Sequence, residues 1–169
     1  IREAPEPTVG PSGALVEVRA ISLNPGDVKI ARMMGPAALL DYDRAIRHDP
    51  ADAALFAARA YAYRQTGEYE RAAADLNEAI RLSPDCPEYV IQRGNAAAER
   101  GDFSQAIADF HRSLQMDPNA VEAYRSLAWL HATCPDDRHR NVEQALLLAR
   151  KALTLAPDDP LVLEALAAT

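Results

Sequence analysis

The chain repeats itself every 34 residues, and that period constrains its fold more than any other feature. Ala-Ile-Arg-His-Asp-Pro ends at Pro50, Ala-Ile-Arg-Leu-Ser-Pro at Pro84, and Ser-Leu-Gln-Met-Asp-Pro at Pro118. A fourth copy, Ala-Leu-Thr-Leu-Ala-Pro, ends at Pro157, so the last interval is 39 residues and carries five extra. A unit of this length cannot bury its own apolar face and must stack on copies of itself.

Each proline closes a helix. Its ring disfavours the α conformation at Asp49, Ser83, Asp117 and Ala156 and supplies no N–H to continue the ladder. Upstream, the apolar spacing is helical: Ala72, Leu76, Ala79 and Ile80 share a face, as do Ala106, Phe110 and Leu114, and Ala145, Ala152 and Leu153. Gly67 and Gly101 separate these helices from the preceding ones, a turn role glycine takes at little steric cost. The pattern predicts helices over 36–48, 53–65, 69–82, 87–99, 103–116, 121–132, 141–155 and 160–168. Small residues recur at Ala60, Gly94 and Ala128, and at Ala72, Ala106 and Ala145, where paired helices must approach closely. Arg59 and Arg93 interrupt the apolar face, so their stems are expected along the core edge with the heads in solvent.

The 34-residue unit resembles the tetratricopeptide repeat, with W-x2-L-G-x2-Y in its first helix, A-x3-F in its second and a closing proline. The first-helix slots hold Phe56, Arg59, Ala60 and Tyr63; Val90, Arg93, Gly94 and Ala97; and Tyr124, Leu127, Ala128 and His131. The second-helix slots hold Ala38, Tyr42 and Ala45; Ala72, Leu76 and Ala79; Ala106, Phe110 and Ser113; and Ala145, Ala149 and Ala152. The expected fold is all-α, a tetratricopeptide-like α-solenoid of antiparallel helix pairs behind a short extended, β-like N-terminal segment. The array is expected over 36–169: a half repeat at 36–50, units at 51–84, 85–118 and 119–157 (the last with a longer turn), and an incomplete repeat at 158–169. The helix at 160–168 is too apolar, at Leu161, Val162, Leu163 and Leu166, for a finished polar cap. Either further repeats follow it or its surface pairs with something else.

Residues 1–35 are a different kind of sequence. Residues 14–20, Ala-Leu-Val-Glu-Val-Arg-Ala, alternate as a half-buried strand does. With the Asn-Pro-Gly-Asp turn at 24–27 and the stretch after it, this segment resembles the N-terminal start of a medium-chain dehydrogenase, in the quinone-reductase branch. That family's activity needs a complete barrel-like domain and a Gly-rich nucleotide-binding domain, and this sequence has neither. Oxidoreductase activity is therefore not carried over. Three origins stay open for the segment: an artificial fusion, a gene-assembly join near residues 35 and 36, or a strand-bearing linker. The opening Ile1, in place of Met, points to a fragment of a longer chain.

Charge narrows the partners. Residues 1–35 balance four basic against four acidic side chains, whereas the remainder holds 14 Lys and Arg against 21 Asp and Glu. An acidic array repels phosphate backbones, so nucleic acid is a poor partner. No run approaches the roughly 18 apolar residues of a membrane helix, and no membrane partner is expected. The two cysteines, Cys86 and Cys134, form no disulfide framework and suit a reducing, cytoplasmic compartment.

No catalytic machinery is legible, and the expectation is a chain that is not an enzyme and holds no cofactor or metal. His131, Cys134 and His139 have a spacing that could supply three metal ligands. Against this, His131 occupies a helix-packing slot and Cys134 ends the helix before the longer turn. Cys134 also lacks the glycine turn and oxyanion donors of a covalent nucleophile. The pairs Asp136–Asp137 and Asp158–Asp159 suit turns and helix caps better than acid–base chemistry.

The function expected is that of a protein-interaction scaffold, with a peptide or protein in the concave groove lined by the first helices. Its candidate contact residues are Tyr61, Arg64, Ile91, Asn95, Arg125 and Trp129, a mixture of the types that dominate recognition surfaces. Ala57, Glu88 and Glu122 belong to the same stripe. Family members that clamp C-terminal carboxylates use a Lys–Asn pair where this chain has Ala57 and Tyr61, so that clamp is absent. Arg64 and Arg125 remain as candidates to meet acidic side chains of an extended peptide. Self-association, through the N-terminal strand or the apolar C-terminal helix, is a further expectation. The alternative reading is a regulatory or docking fragment of a larger enzyme with a reductase-like remnant at its start.

Overall fold

The computed structural model describes residues 38–168. All regular structure among them is helical: α1 (38–48), α2 (Ala53–Gln65), α3 (Tyr69–Leu82), α4 (Pro87–Arg100), α5 (Phe103–Met116), α6 (Val121–Thr133), α7 (Val142–Leu155) and α8 (Pro160–Ala167). From α2 onward, no helix end departs from its sequence expectation by more than one residue. The strand expected over 14–20, the turn at 24–27 and any pairing through them lie outside the described residues.

The helix ends follow from local chemistry. Ser83, Asp117 and Ala156 precede the closing prolines and leave the helical region at φ −136°, −131° and −142°. Gly101 ends α4 at φ 88°, in the left-handed region that L side chains avoid. The side chains of Asp52, Asp102, Asn141 and Asp159 each accept a hydrogen bond from a first-turn amide of the following helix. Such caps contribute about 1 kcal/mol each. Asp159 is thus a cap, as its position suggested.

Helices pack as pairs, α2 with α3, α4 with α5 and α6 with α7, and each pair stacks on the next. Ala60, Ala72, Leu76, Ala79, Val90, Ala106, Leu127, Ala128, Ala145, Ala149 and Ala152 are fully shielded from solvent. These are the family slots, so the small-residue pattern marks the helix–helix contacts. At the centre Phe110 is 1% exposed, with its ring over Gly94. A Cβ placed on Gly94 would meet the Phe110 ring at 2.7, 3.0 and 3.2 Å. The matching positions one unit earlier are Ala60 and Leu76, and one unit later Ala128 and Ala149. The largest second-helix residue therefore faces the smallest first-helix one.

The arginine heads do not reach solvent freely. Arg59 donates from Nε and Nη2 to the Asp75 carboxylate at 2.7 and 2.6 Å, and from Nη1 to Asp43 at 2.7 Å. Arg93 repeats the arrangement, with Asp109 at 2.9 and 2.6 Å and Asn77 at 2.7 Å. Each guanidinium joins the second helix of its own unit to the second helix of the unit before. Hydrogen bonding to Asp75 and Asp109, against the cost of burial, holds both guanidinium pKa values above their ordinary range. In the third unit Leu127 and Leu148 take these two places, both buried and apolar.

Candidate functional site

The first helices of successive units, α2, α4, α6 and α8, lie side by side, each touching the next. Their outer faces and the start of α5 enclose an open cavity of about 670 Å³. Tyr61, Arg64, Asn95, Arg125 and Trp129 all line it. Five of the six expected contact residues are therefore gathered on one surface. Trp129 is 45% exposed, a large indole left partly in water on the wall of a groove.

Ile91 is the exception. It is 2% exposed and belongs to the core cluster with Ala123, Leu127 and Leu130, covered by α6 of the next unit. Ala57 is buried in the same way, at 1%. Helix periodicity within one unit cannot register burial by the neighbouring one, and so it assigned both to the open face. Glu122 lines the cavity, while Glu88 stands beside it in charge contact with Glu122.

The arginines of the groove are already engaged. Arg64 donates to both oxygens of Glu99, at 3.0 and 2.5 Å, tying α2 to α4. Arg125 lies 3.6 Å from Glu122. Glu122 also accepts from Asn95 at 3.2 Å, and Asn95 accepts from Ser126 at 3.3 Å, tying α4 to α6. Thus Arg64 and Asn95 hold consecutive units in register as well as facing the cavity. Desolvation, and then the charge of Glu122, push the Glu88 carboxyl above its ordinary pKa.

Sequence periodicity missed part of the wall. Phe103, Cys134, Pro135, Leu161 and Glu164 also line the cavity. They come from the start of α5, the lengthened turn and α8. The turn is pinned rather than loose. The His131 ring bonds to the backbone carbonyl of His139 at 2.8 Å, and the Asn141 amide donates to the His131 carbonyl at 2.8 Å. His139 Nε2 lies 3.2 Å from Ser104 Oγ, and its ring is tilted against Phe103. His131 and His139 are thus used in fastening the turn, and Cys134 is buried. Among the described residues, no group of three or more His, Cys, Asp or Glu side chains is placed to hold a metal. Among the same residues, no helix is long and apolar enough to cross a membrane.

Comparison with known proteins agrees with this architecture. Residues 91–160 match a family model described as a tetratricopeptide repeat, and residues 60–97 match another described as a TPR repeat. No curated protein sequence matches. A thermophilic TPR protein of Thermus thermophilus is similar in structure at 24% identity and a TM-score of 0.70, over 86% of this chain and 81% of that one. The crystal structure of MamA is similar at 18% identity and a TM-score of 0.67, over 86% and 82% of the two chains. The first TPR of Spaghetti (RPAP3), bound to the HSP90 peptide SRMEEVD, is similar at 18% identity and a TM-score of 0.57, over 68% and 87%.

Proposed function

Residues 60–160 make this chain a tetratricopeptide-repeat protein, and from that premise we propose that it is a protein-interaction scaffold whose groove takes an extended segment of a protein partner. The observation that carries the reading is the cavity of about 670 Å³ along the first helices, with the half-exposed Trp129 on its wall. An exposed indole with a polar rim is the composition expected of a recognition hot spot. The inter-unit bonds of Arg64 and Asn95 fix the wall before any partner arrives, which lowers the ordering cost of association. A structural neighbour of the same fold is itself bound to a peptide, which supports a protein partner for this one.

The test is a pull-down of partners with the full chain and with a Trp129→Ala/Tyr61→Ala double variant, both positions lying on the cavity wall. The double variant is expected to lose most of the captured partner while its helical circular dichroism stays unchanged. Equal capture by both proteins would sink the groove assignment.

A further inference from the structure

The charges in the groove are not evenly matched. Its wall carries two arginines, Arg64 and Arg125, and three glutamates, Glu99, Glu122 and Glu164. Arg64 is held by both oxygens of Glu99, and Arg125 lies near Glu122. The remaining carboxylate, Glu164, has no side-chain partner among the described residues and shares the cavity with Trp129 and Leu161. Glu88 adds a further negative charge beside Glu122. Among the described residues, an incoming carboxylate would therefore find no free cation on this wall. An incoming cation would find an unpaired anion and a half-exposed indole.

We propose that the partner segment presents a Lys or Arg side chain next to an apolar one, with the cationic head over the Trp129 ring and paired with the Glu164 carboxylate. This inference rests on the groove reading above and specifies the chemistry of its occupant. A cation over an indole is attracted by the ring quadrupole, and more strongly once the pair is shielded from water. Leu161, 51% exposed on the same wall, offers the apolar neighbour its contact. The field of the whole molecule acts in the same direction, since the formal net charge is −7. A basic segment is steered toward such a surface and an acidic one is turned away, most strongly at low ionic strength. The earlier expectation that Arg64 and Arg125 receive acidic side chains does not fit two guanidiniums that already face carboxylates.

Trp129 is the one tryptophan of the sequence, so its fluorescence reports directly from the groove. The full chain is titrated at low salt with three capped peptides of identical length and leucine pattern, carrying Lys, Gln or Glu at the same alternate positions. The Lys peptide is expected to shift Trp129 emission with an affinity about tenfold above that of the Gln peptide, and the Glu peptide to bind more weakly still. Glu164→Gln is expected to erase most of the Lys-over-Gln preference, while apolar binding and helical content persist. If the Glu or Gln peptide binds the groove as well as the Lys peptide, the basic-partner proposal is overturned and the groove reading stands. If the Lys peptide binds without moving Trp129 emission and without regard to Glu164, both fail, as they do if no peptide binds.

Discussion

Gly94→Ala adds a single carbon at the most crowded helix crossing of the array. In an exposed helix the same change stabilises by roughly 0.5–1 kcal/mol, because alanine has less backbone entropy to lose. Here the new Cβ would lie 2.7 Å from Cε1 of Phe110, inside the approach that real Cβ atoms make. The ring cannot swing aside, being 1% exposed and packed among Ala97, Ala106 and Leu127. Overpacking of this kind costs about 1–3 kcal/mol, so the net expectation is a loss of about 1 kcal/mol. Gly94→Leu, with three more carbons, loses more. Phe110→Leu alone opens space beneath Gly94 and costs less than a Phe→Ala change, which costs about 3–5 kcal/mol. The double variant Gly94→Ala/Phe110→Leu recreates the Ala60 and Leu76 pairing found one unit earlier. It is expected to recover most of the combined loss, giving a coupling of at least about 1 kcal/mol in a double-mutant cycle. Urea denaturation followed by circular dichroism measures all four proteins. Additive losses in the double variant, or a Gly94→Ala protein as stable as its parent, would refute the packing assigned to this crossing.

Other perturbations follow from the same structure. Asp109→Leu strands the partly buried Arg93 guanidinium and is expected to cost about 3 kcal/mol, at the lower end for a broken buried pair. Arg93→Leu/Asp109→Leu, which copies Leu127 and Leu148 of the third unit, should regain most of that in thermal denaturation; a double variant no better than the single contradicts the pairing. Glu88, with a folded pKa above the ordinary 4.5, carries no penalty where both folded and unfolded states hold the proton. As pH rises through the folded pKa the folded state loses stability relative to the unfolded one. Glu88→Gln is therefore expected to be more stable than its parent near neutrality, with the advantage vanishing at about pH 4; urea midpoints at the two values check the sign, and an unchanged difference would contradict it.

How much of this was legible in the sequence differs between elements. The helix ends were legible because prolines 84, 118 and 157 and Gly101 act through local sterics that need no knowledge of the fold. The helix-pair contacts were legible because only small residues tolerate close approach, and Ala60, Gly94 and Ala128 recur in step. The arginine bridges were not read, although a signal existed. Asp75 and Asp109 stand 16 residues after Arg59 and Arg93, and both members of the pair change to leucine together in the third unit. The periodicity of one helix cannot express a pairing that lies between helices. For the same reason Ile91 was placed on the open face: its burial comes from α6 of the following unit. Phe103 and Pro135 were missed because they reach the groove from a helix start and a turn, outside the first-helix stripe. Glu164 holds on α8 the register position that Arg125 holds on α6, so a signal for it existed once the stripe is carried across the 39-residue interval.

Partners are expected to be held by the first-helix groove rather than by the second-helix surface. A photo-crosslinking residue placed singly at position 61, 129 or 112 tests it most directly. Tyr61 and Trp129 line the groove, whereas Arg112 is exposed on α5 and takes no part in it. Crosslinked partner is expected from positions 61 and 129 and little from 112. Equal capture at all three, or capture from 112 alone, would contradict the account.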